Sequence, residues 1–128
     1  PRDIENNCCV LVSRVSRQKT VISLDNLVEE VAKALDAVHN ELYERALKNL
    51  EEKTSVAHDH EEFLDIAENH PGFIKAMWCG ESECEDMLKD ETGGVKSRCI
   101  PFVQENISDK CACCGRPAKH MVVWGRQY

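Results

Sequence analysis

No stretch of this chain approaches the roughly 18 consecutive apolar residues that a membrane span needs, and its start, PRDIENN, has no signal-peptide pattern. Both absences lead to the expectation of a soluble protein. A phosphate-cradling glycine loop is missing too, because Gly93-Gly94 lacks the surrounding residues of such a loop. There is no GxSxG elbow, no HExxH pair and no acid pair in an apolar setting. Cys113 has no His close by in sequence to act as its base. The chain therefore reads as a structural or binding module rather than a complete enzyme, and none of its residues is expected to be catalytic.

Its 128 residues suffice for one domain, or for one small domain with pieces of another. It begins with Pro1 rather than Met, so it is expected to be cut from something longer. The net charge of −7 is uneven. Residues 1–24 carry four basic and two acidic side chains, residues 25–70 four and thirteen, and residues 71–128 eight of each. The acidic middle repels phosphates and is a poor surface for nucleic acid. The flanks are not excluded: Arg14, Arg17 and Lys19 give the first hairpin a modest basic face, which can meet phosphates or simply be solvated.

PRDIENN (1–7) reads as a turn. CCVLVSR (8–14) and KTVISL (19–24) read as two strands of a hairpin, which belongs to a sheet whose other strands would precede residue 1. From Asp25 the apolar period changes to three and four, through Val28, Val31, Leu35, Val38, Leu42, Ala46 and Leu50. That predicts an amphipathic helix to about Lys53, capped by Ser23 or Asp25, its stripe packing on neighbouring domains. KTSVAHDHEE (53–62) breaks the pattern and is a boundary. Beyond it the pattern predicts a helix over 61–70, a buried strand over 72–78, a helix over 83–92, a strand over 95–102, a loop over 104–110 and a last strand over 118–128 loosened by Gly125. The expected fold class is α+β. It comprises a hairpin remnant (1–24), a long linking helix (25–56) and a small α+β domain (57–128).

The eight cysteines could form a disulfide framework, but the fraction lies below the roughly 8–10 % of disulfide scaffolds, and the adjacent pairs Cys8-Cys9 and Cys113-Cys114 suit bridging poorly. The arrangement WCGESEC, then 26 residues, then CACCG favours a metal instead. Cys79 and Cys84 form one pair. Cys111-x2-Cys114 followed by Gly115 forms a knuckle that aims two thiolates at one point, with Cys113 the alternative to Cys114. Four thiolates around one ion make a closed tetrahedral site of the structural zinc type. Glu81 or Glu83 as a ligand is the weaker reading, and both are expected to be solvated. His58, Asp59 and His60 could suggest a second metal site, against the plainer reading of a polar boundary. Cys99 is expected to be a core thiol, one of Cys8 and Cys9 to be buried, and His39 and His120 to be surface residues.

WCGESECEDMLKDETGG, SRCIPF and KCACCGRPAKHMVVWGRQY, in this order, resemble the C-terminal zinc-binding domain of prolyl-tRNA synthetases of the eukaryote-like and archaeal-like type. PRDIENNCCVLV and the acidic helix after it are similar to the end of that family's anticodon-binding domain, to one of whose motifs Arg2 belongs. The resemblance implies a role in protein biosynthesis as part of a class II aminoacyl-tRNA synthetase, cytoplasmic and homodimeric through upstream domains. Such an enzyme activates proline with ATP and Mg²⁺, bound outside this segment, and ligates it to tRNA(Pro), with no membrane or DNA partner. It also implies zinc on Cys79, Cys84, Cys111 and Cys114, or on Cys113 where one residue separates the second pair; some members lack ligands. Tyr128 matches the terminal tyrosine whose carboxylate reaches toward the active site. The alternative is a free-standing zinc-knuckle module that binds a protein or RNA and does no chemistry; a disulfide-stapled secreted protein is more distant.

Overall fold

The computed structural model describes residues 2–126. They divide into two compact units, with the split between Asn49 and Leu50.

The first unit opens with a single helical turn, α1 (Arg2–Glu5), where the sequence suggested an irregular turn. The amides of Asn6 and Asn7 reach back to the carbonyls of Arg2 and Ile4, and Asn7 closes the turn in the left-handed region at φ 49°. Strands β1 (Cys8–Val12) and β2 (Lys19–Ser23) then pair antiparallel, Cys8 opposite Ser23 and Val12 opposite Lys19, as the alternating β-branched runs predicted. Ser13 ties the connection: its amide donates to Gln18 O at 2.9 Å, and its carbonyl accepts from Arg17 N at 3.0 Å. Cys8 and Cys9 are both half-buried, so neither is the buried thiol expected.

Ser23 supplies the cap to the next element. Its Oγ accepts from Asp25 N at 3.2 Å, leading through a 3₁₀ turn (Leu24–Asn26) into the long helix α2 (Leu27–Glu52). At 1.5 Å per residue this helix runs roughly 40 Å. Lys33 bonds Glu29 and Glu30 on its solvent face. No residue of α2 is buried, and Val28, Leu35, Leu42 and Leu50 of its apolar stripe are exposed.

The second unit contains β3 (Thr54–Ala57), α3 (His60–Asn69), β4 (Phe73–Trp78), α4 (Ser82–Glu91), β5 (Val95–Cys99) and β6 (His120–Arg126). The α+β expectation holds. The sheet order is β3-β4-β6-β5: β3 lies parallel to β4, and β6 runs antiparallel between β4 and β5. The supposed boundary at 53–62 is in fact a strand and the start of a helix. β3 was hidden because it is four residues long and pairs with a strand beyond an intervening helix. Helices α3 and α4 bury Phe63 and Leu88 in one cluster with Ala57, Ile74, Ala76, Val95, Val122 and Trp124. Burial of side chains as large as Phe63 and Leu88 contributes about 1.5–3 kcal/mol each. Trp124 is the centre of this cluster. Phe63 and Trp78 both meet its ring edge-on, with centroids 5.7 Å and 6.1 Å away.

Two expectations on β5 and β6 need correction. β5 stops at Cys99, short of Pro101, and a bulge between Ser97 and Cys99 shifts its register. Cys99 is exposed as a result, not a core thiol. Gly125 does not loosen β6 either: it pairs with Phe73 on one side and Lys96 on the other, and its carbonyl accepts from Nε and Nη2 of Arg98 at 3.0 and 2.7 Å.

Candidate metal centre

β4 ends one residue before Cys79. Gly80, at φ 91°, then reverses the chain, and Cys84 falls in the first turn of α4, its amide bonded to Glu81 O. Sequence spacing and helix geometry together bring the Cys79 and Cys84 sulfurs to 3.6 Å.

The second pair is built by a tight knuckle. Cys111 N donates to Arg116 O at 2.8 Å, and Gly115 N donates to Cys111 O at 2.9 Å. Gly115 sits at φ 68°, a conformation that side chains disfavour, so the glycine after Cys114 has a geometric reason. Lys110 and Pro117 bridge the base of the knuckle. Two backbone bonds dock it on the end of β4: Ala112 N to Met77 O at 2.9 Å, and Lys119 N to Trp78 O at 2.8 Å.

The result is one group of four sulfurs, those of Cys79, Cys84, Cys111 and Cys114, all within 4.8 Å of one another. The first three residues are buried and Cys114 is half-buried. Zinc–thiolate bonds of about 2.3 Å in a tetrahedron put sulfurs about 3.8 Å apart. The Cys79–Cys84 and Cys79–Cys114 distances of 3.6 and 3.8 Å already match. The donor set and its spacing therefore fit a soft divalent ion, and these four cysteines can hold a metal. All are free thiols. Cys113 is buried but stands outside the group of four, against Cys84.

Charge in the cluster is divided. Burial pushes the thiols of Cys84, Cys111 and Cys113 up. Burial acts the same way on Cys114, yet hydrogen bonds from the side chain and backbone of Arg116, and from Cys84 and Cys111, hold it down at about 6. Arg116 Nε lies 3.2 Å from Cys114 Sγ, and its Nη2 lies 3.8 Å from Cys84 Sγ. The sequence reading passed over Arg116; a cation two positions after a knuckle cysteine was the available signal.

The other candidate residues scatter. His58 Nδ1 pairs with Glu62 at 2.8 Å, Asp59 caps α3, and His60 Nε2 pairs with Glu91 at 2.9 Å, so the three do not converge on one point. Glu81 and Glu83 are exposed, and Glu81 pairs with Lys119 at 3.4 Å. His39, His120, Arg2, Arg14, Arg17 and Lys19 are exposed. Tyr128 lies outside the described residues. Among the described residues, no helix is long and apolar enough to cross a membrane.

A family model described as prolyl-tRNA synthetase, C-terminal, matches residues 60–128. Over all 128 residues the chain is 55% identical to a proline–tRNA ligase of Clostridium botulinum (strain 657 / Type Ba4). It is 52% identical to that of Clostridium novyi (strain NT) and 51% identical to that of Lachnoclostridium phytofermentans (strain ATCC 700394 / DSM 18823 / ISDg). It spans 27% of the length of each of these relatives. With more than half of its residues under that model, the chain belongs to the prolyl-tRNA synthetase C-terminal family.

Proposed function

We propose that this chain is the C-terminal part of a proline–tRNA ligase, and that Cys79, Cys84, Cys111 and Cys114 hold one structural Zn²⁺. The observation that carries the zinc reading is the group of four sulfurs within 4.8 Å, drawn from the start of α4 and from the knuckle before β6. Four protein ligands fill a tetrahedral site, leaving no open position for substrate, so the site is structural. Bound there, the ion supplies a cross-link whose binding free energy adds to folding. The chain's own residues do the rest: the knuckle's backbone bonds orient Cys111, and the α4 N-terminus orients Cys84.

The ligase would activate proline with ATP and Mg²⁺, both bound outside this segment, and join it to tRNA(Pro). The reading includes a cytoplasmic homodimer paired through upstream domains. It takes the hairpin (1–24) as the end of an anticodon-binding domain, the long helix α2 as a link, and the unit that holds strands β3 to β6 as the zinc domain. The Tyr128 carboxylate would reach toward the active site. Similarity over the whole length of the chain to proline–tRNA ligases supports this reading.

Proline-dependent ATP–pyrophosphate exchange by the full-length protein, with and without Tyr128, tests it, alongside the zinc content per chain. The expected result is proline-dependent exchange that weakens without Tyr128, and one zinc per chain. Exchange indifferent to the deletion removes the role of the carboxylate. No proline-dependent exchange at all hands the chain to the free-standing interaction module.

A further inference from the structure

Four thiolates on a divalent cation leave a net charge of two minus. Here that charge would sit at the start of a helix whose first turn carries Glu83 and Glu85, with Glu81 just before it. Lys119 is occupied by Glu81. The guanidinium of Arg116 turns instead to sulfur: Nε to Cys114 Sγ at 3.2 Å and Nη2 to Cys84 Sγ at 3.8 Å. Nε and Nη2 lie along one edge of the planar guanidinium, and both turn to sulfur. The backbone of the same residue accepts from Cys111 N at 2.8 Å. Arg116 therefore touches three of the four cysteines, one through its carbonyl and two through its side chain, and it joins the knuckle to α4. The planar fork of an arginine can bridge two acceptors at fixed geometry, which a lysine ammonium cannot.

We propose that Arg116 is the outer-shell positioning residue of the four-cysteine centre, bridging Cys114 and Cys84 and setting how long the centre keeps its metal. This rests on the zinc reading above. Hydrogen bonds to ligand thiolates draw off charge and fix sulfur positions. Losing such a partner typically costs a site 10–100-fold in metal affinity. Because Arg116 is exposed, its replacement leaves the apolar core untouched.

The test uses the full-length protein as wild type, Arg116→Gln and Arg116→Lys, each loaded with Zn²⁺ and challenged with excess pyridylazoresorcinol. The zinc release rate is read optically. Parallel samples loaded with Co²⁺ report the thiolate-to-cobalt charge-transfer band. Arg116→Gln is expected to release zinc roughly 10–100-fold faster, with Arg116→Lys between it and wild type. The cobalt band is expected to move to lower energy in Arg116→Gln, because sulfur lone pairs relieved of hydrogen bonds are easier to oxidise. A merely structural role would leave that band where it is. If Arg116→Gln loads no metal, Arg116→Lys decides: intermediate release supports the proposal, and wild-type release overturns it. Release within about twofold of wild type and an unmoved band in Arg116→Gln, well below the 10–100-fold loss expected of an outer-shell partner, overturn the role of Arg116 alone. A wild type that takes up neither ion overturns the metal reading, and this proposal with it.

Discussion

The sulfurs of Cys79 and Cys114 lie 3.8 Å apart although the two residues stand 35 positions apart in sequence. Every residue of α4 and β5 lies in the loop that this contact closes. Zinc held there acts only on the folded state, because the unfolded chain does not keep the four thiols together. Chelation should therefore lower the melting temperature of this unit. At free zinc a thousand times Kd the linkage is worth about 4 kcal/mol, a Tm difference of roughly 15–30 °C for a unit of this size. Differential scanning fluorimetry with zinc and with EDTA measures it. The same geometry separates the two adjacent cysteines. Cys114→Ser should lose tight zinc binding, whereas Cys113→Ser should keep one zinc per chain and lose only some stability from its buried position. A Cys113→Ser protein without zinc would reverse the assignment.

Gly72 meets Lys53, the residue between α2 and β3, at close range. A Cβ built on it would collide with the backbone carbonyl of Lys53, the same carbonyl that accepts from Phe73 N at 2.8 Å. Backbone held by that bond cannot swing aside. Gly72→Ala should therefore destabilise the unit by about 1–3 kcal/mol, the usual range for overpacking, read as a lower urea midpoint. Gly125→Ala makes the contrast. There a Cβ meets the Phe73 ring at 3.2 Å, the contact is with a side chain rather than with held backbone, and Phe73 is 40% exposed. Its cost should be the smaller of the two. Equal midpoints for Gly72→Ala and wild type would show that the Lys53 carbonyl can yield.

What the sequence made legible was whatever is local. The helices announced themselves by a stripe of period three to four in α2 and by Pro71-Gly72 and Gly93-Gly94 as stops. The cysteine pairs were readable because each lies within one turn of chain, Cys79 to Cys84 around Gly80 and Cys111 to Cys114 before Gly115. What was not legible depends on partners far away. β3 is a strand only because β4 lies beside it, and Cys99 is exposed only because a bulge shifts β5 against β6. Spacing alone left Cys113 and Cys114 as alternatives. Which thiol points at Cys79 is a property of the turn, not of the count between residues. The start of α3 was a missed opportunity: Asp59-x-x-Glu62 has the spacing of a capping box, within a stretch that looked like a boundary.

That cap gives a prediction with a definite sign. Glu62 N donates to Asp59 Oδ1 at 3.0 Å, and the Glu62 carboxylate turns back to accept from His58 N at 2.9 Å and to pair with His58 Nδ1 at 2.8 Å. The backbone bond from His58 is the largest influence and its ring bond the next, and together they hold the Glu62 carboxyl below its ordinary value of 4.5; Asp59 opposes them weakly. A carboxyl depressed by folding contributes stability that is present above its unfolded value and is lost as pH falls through its lower folded value. Glu62→Gln lacks that contribution at every pH. In metal-free protein, where thiol protonation cannot release zinc, wild type should exceed Glu62→Gln in urea midpoint at about pH 7. The two should converge in acid, as pH falls below the lowered folded value and both the folded and the unfolded carboxyl are protonated. A gap that persists unchanged into acid would mean that Glu62 holds α3 through packing or helix propensity, and that its bonds to His58 contribute nothing.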